Sequence, residues 1–112
     1  MENEEKLLNL LGLAMRAGKL VTGEEGVLKE IRGQKAKLVF IASDAGSSTT
    51  KRIQDKSKYY KIFYFAGLSQ AALSHAIGRS RTIIAVMDAG FAKKMQELIQ
   101  SKQVNATDDL SC

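Results

Sequence analysis

Apolar residues recur along this chain with two different rhythms. Leu7, Leu8, Leu11, Ala14 and Met15 keep the spacing that lines one face of a helix, and Gly18 is placed to end it. KLVT (19–22) reads as a short extended piece. Val27, Leu28 and Ile31 then mark a helix that opens after Thr22 and stops at Gly33. KLVFIA (37–42) is a continuous apolar run of buried-strand length. SSTTKRIQDKSKYY (47–60) predicts a basic amphipathic helix, KIFYF (61–65) an aromatic strand, and SQAALSHAIG (69–78) a short helix. TIIAVMD (82–88) is the most apolar strand, and Phe91, Met95, Leu98 and Ile99 place a last helix at about 90–101.

Strands apolar on both faces, alternating with helices, imply an α/β fold with the sheet held between helical layers. The chain has 112 residues, enough for one domain and too few for two. The expected domain is 1–101, followed by a loose polar tail, KQVNATDDLSC (102–112). No linker, repeat or low-complexity tract interrupts the pattern.

Charge adds direction. The net charge is +5, but residues 1–30 carry six acids and four bases, whereas residues 31–61 carry eight bases against Asp44 and Asp55. An excess in the middle third is the footprint of a polyanion binder; its ordinary alternative is a solvated basic face. The acidic start MENEEK has the wrong sign for a signal peptide, and no apolar run suits a bilayer. The only cysteine is Cys112, so no intrachain disulfide can form. A cytoplasmic protein with no membrane partner is expected.

Candidates for catalysis are weak. His75 is the only histidine and lies within a short helix, and the chain has no G-x-S-x-G elbow. A metal site from Asp44, His75 and Asp88 would draw on separate loops with no recognisable ligand spacing. GEEG and AGSS fit neither the P-loop nor the dinucleotide fingerprint. A non-enzymatic protein without cofactor or metal is expected.

The stretch VTGEEGVLKEIR (21–32) is the most distinctive. Thr22 and Glu25 have the spacing of a capping box, and Glu24 and Glu25 suit the positive end of a helix dipole. Gly26 is left unexplained by capping, since a glycine inside a helix costs about 0.5–1 kcal/mol relative to alanine. A bare position there suits the close approach of another backbone.

RAGKLVTGEEGVLKEI, AKLVFIASDAGSST and AIGRSRTIIAVMD, in that order, resemble the kink-turn-binding family of ribosomal proteins, and within it the small bacterial YlxQ branch. The resemblance runs from about Leu7 to Leu98. It implies a three-layer α-β-α sandwich around a four-stranded mixed sheet. It also implies RNA gripped at a sharp bend, where tandem sheared G·A pairs flank a three-nucleotide bulge. The partner is then a structured RNA, ribosomal RNA foremost, with the ribosome a further partner of a monomeric chain.

By the same resemblance, Gly23 and Lys29 match the family pattern. Glu25 stands where asparagine or lysine is usual, and Gly26 where glutamate or glutamine is usual. That pair of positions reads guanine edges in the family, and Glu24 or Glu25, as pure acceptors, could still take guanine N–H groups. Asp44 matches the loop after the second strand, where Ser43 replaces a common glutamate. Ile77, Gly78, Arg79 and Arg81 fall in the loop that cups bulged nucleotides, and the two arginines there suggest added phosphate contact. Two alternatives stay open: a ribosome-associated factor binding RNA or protein without kink-turn preference, and a recognition module for an RNA-modifying enzyme.

Overall fold

The computed structural model describes the backbone of residues 2–111 and the side chains of residues 3–100. Five helices alternate with four strands: α1 (Glu2–Arg16), β1 (Leu20–Thr22), α2 (Glu24–Arg32), β2 (Leu38–Ala42), α3 (Ser47–Tyr59), β3 (Tyr64–Leu68), α4 (Gln70–Ile77), β4 (Ile83–Val86) and α5 (Ala89–Ser111). The strands lie in the order β1-β4-β2-β3. β4 runs antiparallel to both β1 and β2, and β2 is parallel to β3, so the sheet is mixed.

The continuous apolar runs have a direct structural reason. Successive strand side chains point to opposite faces, and both faces are covered. Leu38, Phe40, Ile84 and Val86 point into one core with Leu7, Leu11, Leu73, Met95 and Ile99 of α1, α4 and α5. Val39, Ile41, Ile83 and Ala85 point into a second core with Val27, Ile31 and Ile53 of α2 and α3. Three layers result, α-β-α, as the family resemblance implies. Phe40 is fully buried and meets Phe65 edge to face at 6.3 Å; truncating a buried phenylalanine to alanine costs about 3–5 kcal/mol.

The third strand departs from expectation. It spans Tyr64–Leu68 rather than 61–65 because the chain leaves α3 at Tyr59 through a turn that takes up Tyr60 and Lys61 before the strand can pair. Lys61 turns into the left-handed region (φ 58°), and the Ile62 N–H reaches back to the Ser57 carbonyl at 2.8 Å. Pairing with β2 then slips near its end, where Phe40 faces Phe65 but Ala42 faces Leu68. The last helix runs Ala89–Ser111, longer than the expected 90–101. Residues 102–111, expected as part of a loose polar tail, continue the backbone of α5, while their side chains and all of Cys112 lie outside the described residues.

Candidate nucleic-acid interface

The sheet has two ends. At the upper end β1, β2 and β3 finish and β4 begins; at the lower end the reverse holds. The segments that open α2, follow β2 and join α4 to β4 therefore meet at the upper end. Hydrogen bonds tie them together. The Gly23 N–H donates to the Ile83 carbonyl (2.9 Å), and the Ala42 N–H to the Thr82 carbonyl (2.8 Å). The Gln70 N–H donates to Asp44 Oδ1 (2.8 Å), and Gln70 Nε2 donates to Ser80 Oγ (3.2 Å). Eight of the ten sequence-predicted residues lie in these segments, and Lys29 is exposed further down α2.

The exception is Ile77, whose side chain is 7% exposed and belongs to the core beneath α4. It fixes the height of the loop rather than lining it. Gly78 follows in the left-handed region (φ 80°, ψ 16°) and turns the chain toward Arg79 and Ser80, both exposed.

The capping box is not formed. Thr22 is the last residue of β1, and its hydroxyl accepts a hydrogen bond from Arg81 Nε–H at 3.1 Å. Gly23 takes the capping position with φ 94° and ψ 148°, a conformation costly for any residue with a Cβ, and supplies no side-chain hydrogen bond. The first N–H groups of α2 are left without a side-chain cap, which makes the helix mouth receptive to an anion.

The two glutamates do different things. Glu24 is half-buried between α2 and α3: the Thr49 hydroxyl donates to Oε1 at 3.1 Å, and Arg52 Nη1 pairs with Oε2 at 3.0 Å. Glu25 is exposed. The Glu25–Lys29 pair suggested by their spacing is absent, the ion pairs among the described residues being Lys51–Asp55 and Arg52–Glu24. Lys29 is exposed one turn further along α2.

Gly26 has a reason within the fold. A Cβ there would come within 3.1 Å of Val21 Cγ1, so α2 lies close over β1. No external backbone is needed to explain the missing side chain.

Arg81 is braced at several points. Its Nε–H holds Thr22, its Nη1 donates to the Ser80 carbonyl (2.7 Å), and its backbone N–H donates to Ser74 Oγ (3.0 Å). Arg81 thus positions the α4–β4 loop against β1, whereas Arg79 is exposed and makes no side-chain ion pair among the described residues. His75 is exposed on α4 beside a groove shared with Glu5, Asn9 and Arg16 of α1. No group of three or more His, Cys, Asp or Glu among the described residues could hold a metal ion. No helix among the described residues is long and apolar enough to cross a membrane.

Residues 5–96 match the Ribosomal protein L7Ae/L30e/S12e/Gadd45 family. The chain belongs to this family. It is 50% identical over 98 residues to the RNA-binding protein YlxQ of Enterococcus faecium, covering 88% of this chain and 95% of that one. It is also 50% identical over 91 residues to the RNA-binding protein YlxQ of Bacillus subtilis (strain 168), covering 80% and 91%. A solved structure of a Bacillus halodurans protein of unknown function superposes with a TM-score of 0.82 at 44% identity, covering 85% of this chain and 97% of that one.

The central basic excess is placed unexpectedly for a member of the L7Ae/L30e/S12e/Gadd45 family read through its upper end. α3 descends from the upper end to the lower, so of the eight bases in 31–61 only Lys51 and Arg52 sit in its upper half. Both are in ion pairs. The other six lie toward the lower end. Thr22, Thr49, Arg52, Ser74 and Gln70 brace the upper end in roles that no local pattern indicates, because they depend on contacts between residues distant in sequence.

Proposed function

We propose that this member of the L7Ae/L30e/S12e/Gadd45 family is a non-enzymatic RNA-binding protein whose upper end grips a kink-turn, as a monomer, with structured ribosomal RNA foremost among its targets. The observation that carries the reading is convergence: the α2 mouth, the β2–α3 loop and the α4–β4 loop form one hydrogen-bonded surface. Both YlxQ relatives are named as RNA-binding proteins, in keeping with it.

Each part has a chemistry. Glu25, the exposed carboxylate, accepts guanine N–H donors at a sheared G·A pair. The uncapped N–H groups of α2 receive a phosphate, and Lys29 and Arg79 neutralise the flanking backbone. Glu24 is held by Arg52 and Thr49 and keeps α2 and α3 in place. Arg81 positions the loop that carries Gly78 and Arg79. Asp44 ties the β2–α3 loop to the start of α4.

The test is a comparison of a kink-turn RNA with a straight duplex of equal length at physiological salt. Tighter binding of the kink-turn is expected, with affinity falling steeply as salt rises because neutralised phosphates release counterions. Equal affinities would leave a general RNA binder without kink-turn preference.

A further inference from the structure

The lower end of the sheet carries features that the upper-end reading leaves unused. A groove of about 400 Å³ opens there between the α2–β2 loop, the α3–β3 connection and Gln96 of α5. This lies within the roughly 300–1,000 Å³ typical of small-ligand clefts. Lys37, Lys61, Gln34 and Tyr60 line it. Beside it Tyr59 is 75% exposed, its ring set edge-on to Tyr60 at 4.9 Å and 81°.

Backbone geometry marks the same place. Gln34 (φ 59°) and Lys61 (φ 58°) are the left-handed non-glycine residues among those described, and both line the groove. Each ends a helix in the same way. The Lys35 N–H returns to the Glu30 carbonyl (2.9 Å) and the Gln34 N–H to Ile31 (3.0 Å). The Ile62 N–H returns to Ser57 (2.8 Å) and the Lys61 N–H to Lys58 (3.1 Å). Glycine is the usual residue at the left-handed position of such a helix end. Here both positions keep a long polar or basic side chain at a conformational cost, and strain of this kind concentrates at functional sites.

Helix dipoles explain part of the charge. Arg32, Lys56 and Lys58 occupy last turns, where a cation is favoured without any ligand. Lys35, Lys37 and Lys61 lie beyond the helices and have no such reason. A basic groove flanked by an exposed aromatic face is the arrangement that binds unpaired nucleotides, with phosphates held by cations and bases stacked on the ring.

We propose that the lower groove is a second RNA site, taking a single-stranded segment by stacking one base on Tyr59 and holding its backbone through Lys37 and Lys61. It is independent of the kink-turn reading, since none of its residues lies at the upper end. The probe is a labelled twelve-nucleotide oligouridylate followed by fluorescence anisotropy, beside a blunt-ended kink-turn RNA. Tyr59→Ala should weaken oligouridylate binding about tenfold, and Tyr59→Phe should hold it within about twofold. Lys61→Gly removes a cation while relieving the left-handed backbone. It should weaken binding and reduce the salt slope by about 0.7 without lowering the melting temperature. Kink-turn affinity should not change in these variants, and Lys29→Ala should leave oligouridylate binding intact. The proposal is overturned if the oligouridylate does not bind, or if Tyr59→Ala and Lys61→Gly bind it like the parent. It is equally overturned if polyglutamate of similar length binds as tightly and ignores Tyr59, which would mark a patch for acidic protein.

Discussion

Glu24 and Glu25 are adjacent in sequence and should separate cleanly in experiment. Replacing Glu24 by alanine removes the Arg52 ion pair at 3.0 Å and the Thr49 hydrogen bond at 3.1 Å. The pair is partly solvated, with side chains 58% exposed for Arg52 and 29% for Glu24, so screening reduces it to about 0.5 kcal/mol. The hydroxyl–carboxylate bond adds about 0.5–1 kcal/mol. A loss of about 1 kcal/mol is expected, lowering the melting temperature of a domain this size by about 4 °C. Urea titration of Glu24→Ala, Arg52→Ala and the double variant should give a coupling energy of about 0.5 kcal/mol, shrinking with salt. Kink-turn affinity should hold or rise in Glu24→Ala, because a negative charge goes and the Arg52 guanidinium is freed. Glu25→Ala should instead melt like the parent and bind about tenfold more weakly. If Glu24→Ala keeps its melting temperature and loses kink-turn binding, Glu24 is the reader and the division between the glutamates is wrong.

Lys29→Ala should weaken kink-turn binding at least about tenfold, or about 1.4 kcal/mol, with unchanged melting; a lower melting temperature with full affinity would assign it to helix stability instead. Arg79→Ala should reduce the salt slope of binding by about one without affecting stability, whereas Arg81→Ala should lower both melting temperature and affinity, as read by paired melts and titrations. The exchange Glu25→Asn with Gly26→Glu restores the usual family pair at constant net charge. It should tighten kink-turn binding and spare a duplex lacking G·A pairs, provided Val21 shifts by a few tenths of an ångström. Weaker binding would show that this branch reads RNA through its own glutamate and glycine.

The elements with strong periodicity were legible in the residues themselves. β2 and β4 are apolar throughout because two cores face them, and a continuous run records that. The upper-end residues were legible as motifs because the resemblance spans nearly the whole domain. Other features depended on distant contacts. The start of β3 moved because the turn that follows α3 takes up Tyr60 and Lys61, with Lys61 left-handed, which no local preference indicates. Thr22 and Glu25 have a capping box's spacing, but Thr22 remains in the sheet, paired with Ile84 and bonded to Arg81. Gly26 reads as room for a ligand in the sequence, whereas the fold adds a second reason, the close packing of α2 over Val21. Net charge by segment located a basic third of the chain without revealing that six of its eight bases lie toward the lower end, away from the motif.

The most direct measurement is an amide chemical-shift map of ¹⁵N-labelled protein titrated with a blunt-ended kink-turn RNA. The largest changes should fall on Gly23, Glu25, Gly26 and Lys29 together with Gly78, Arg79 and Ser80, leaving Lys37, Tyr59 and Lys61 undisturbed. Changes centred on the lower groove, or spread evenly over the basic surface, would contradict recognition through the upper end.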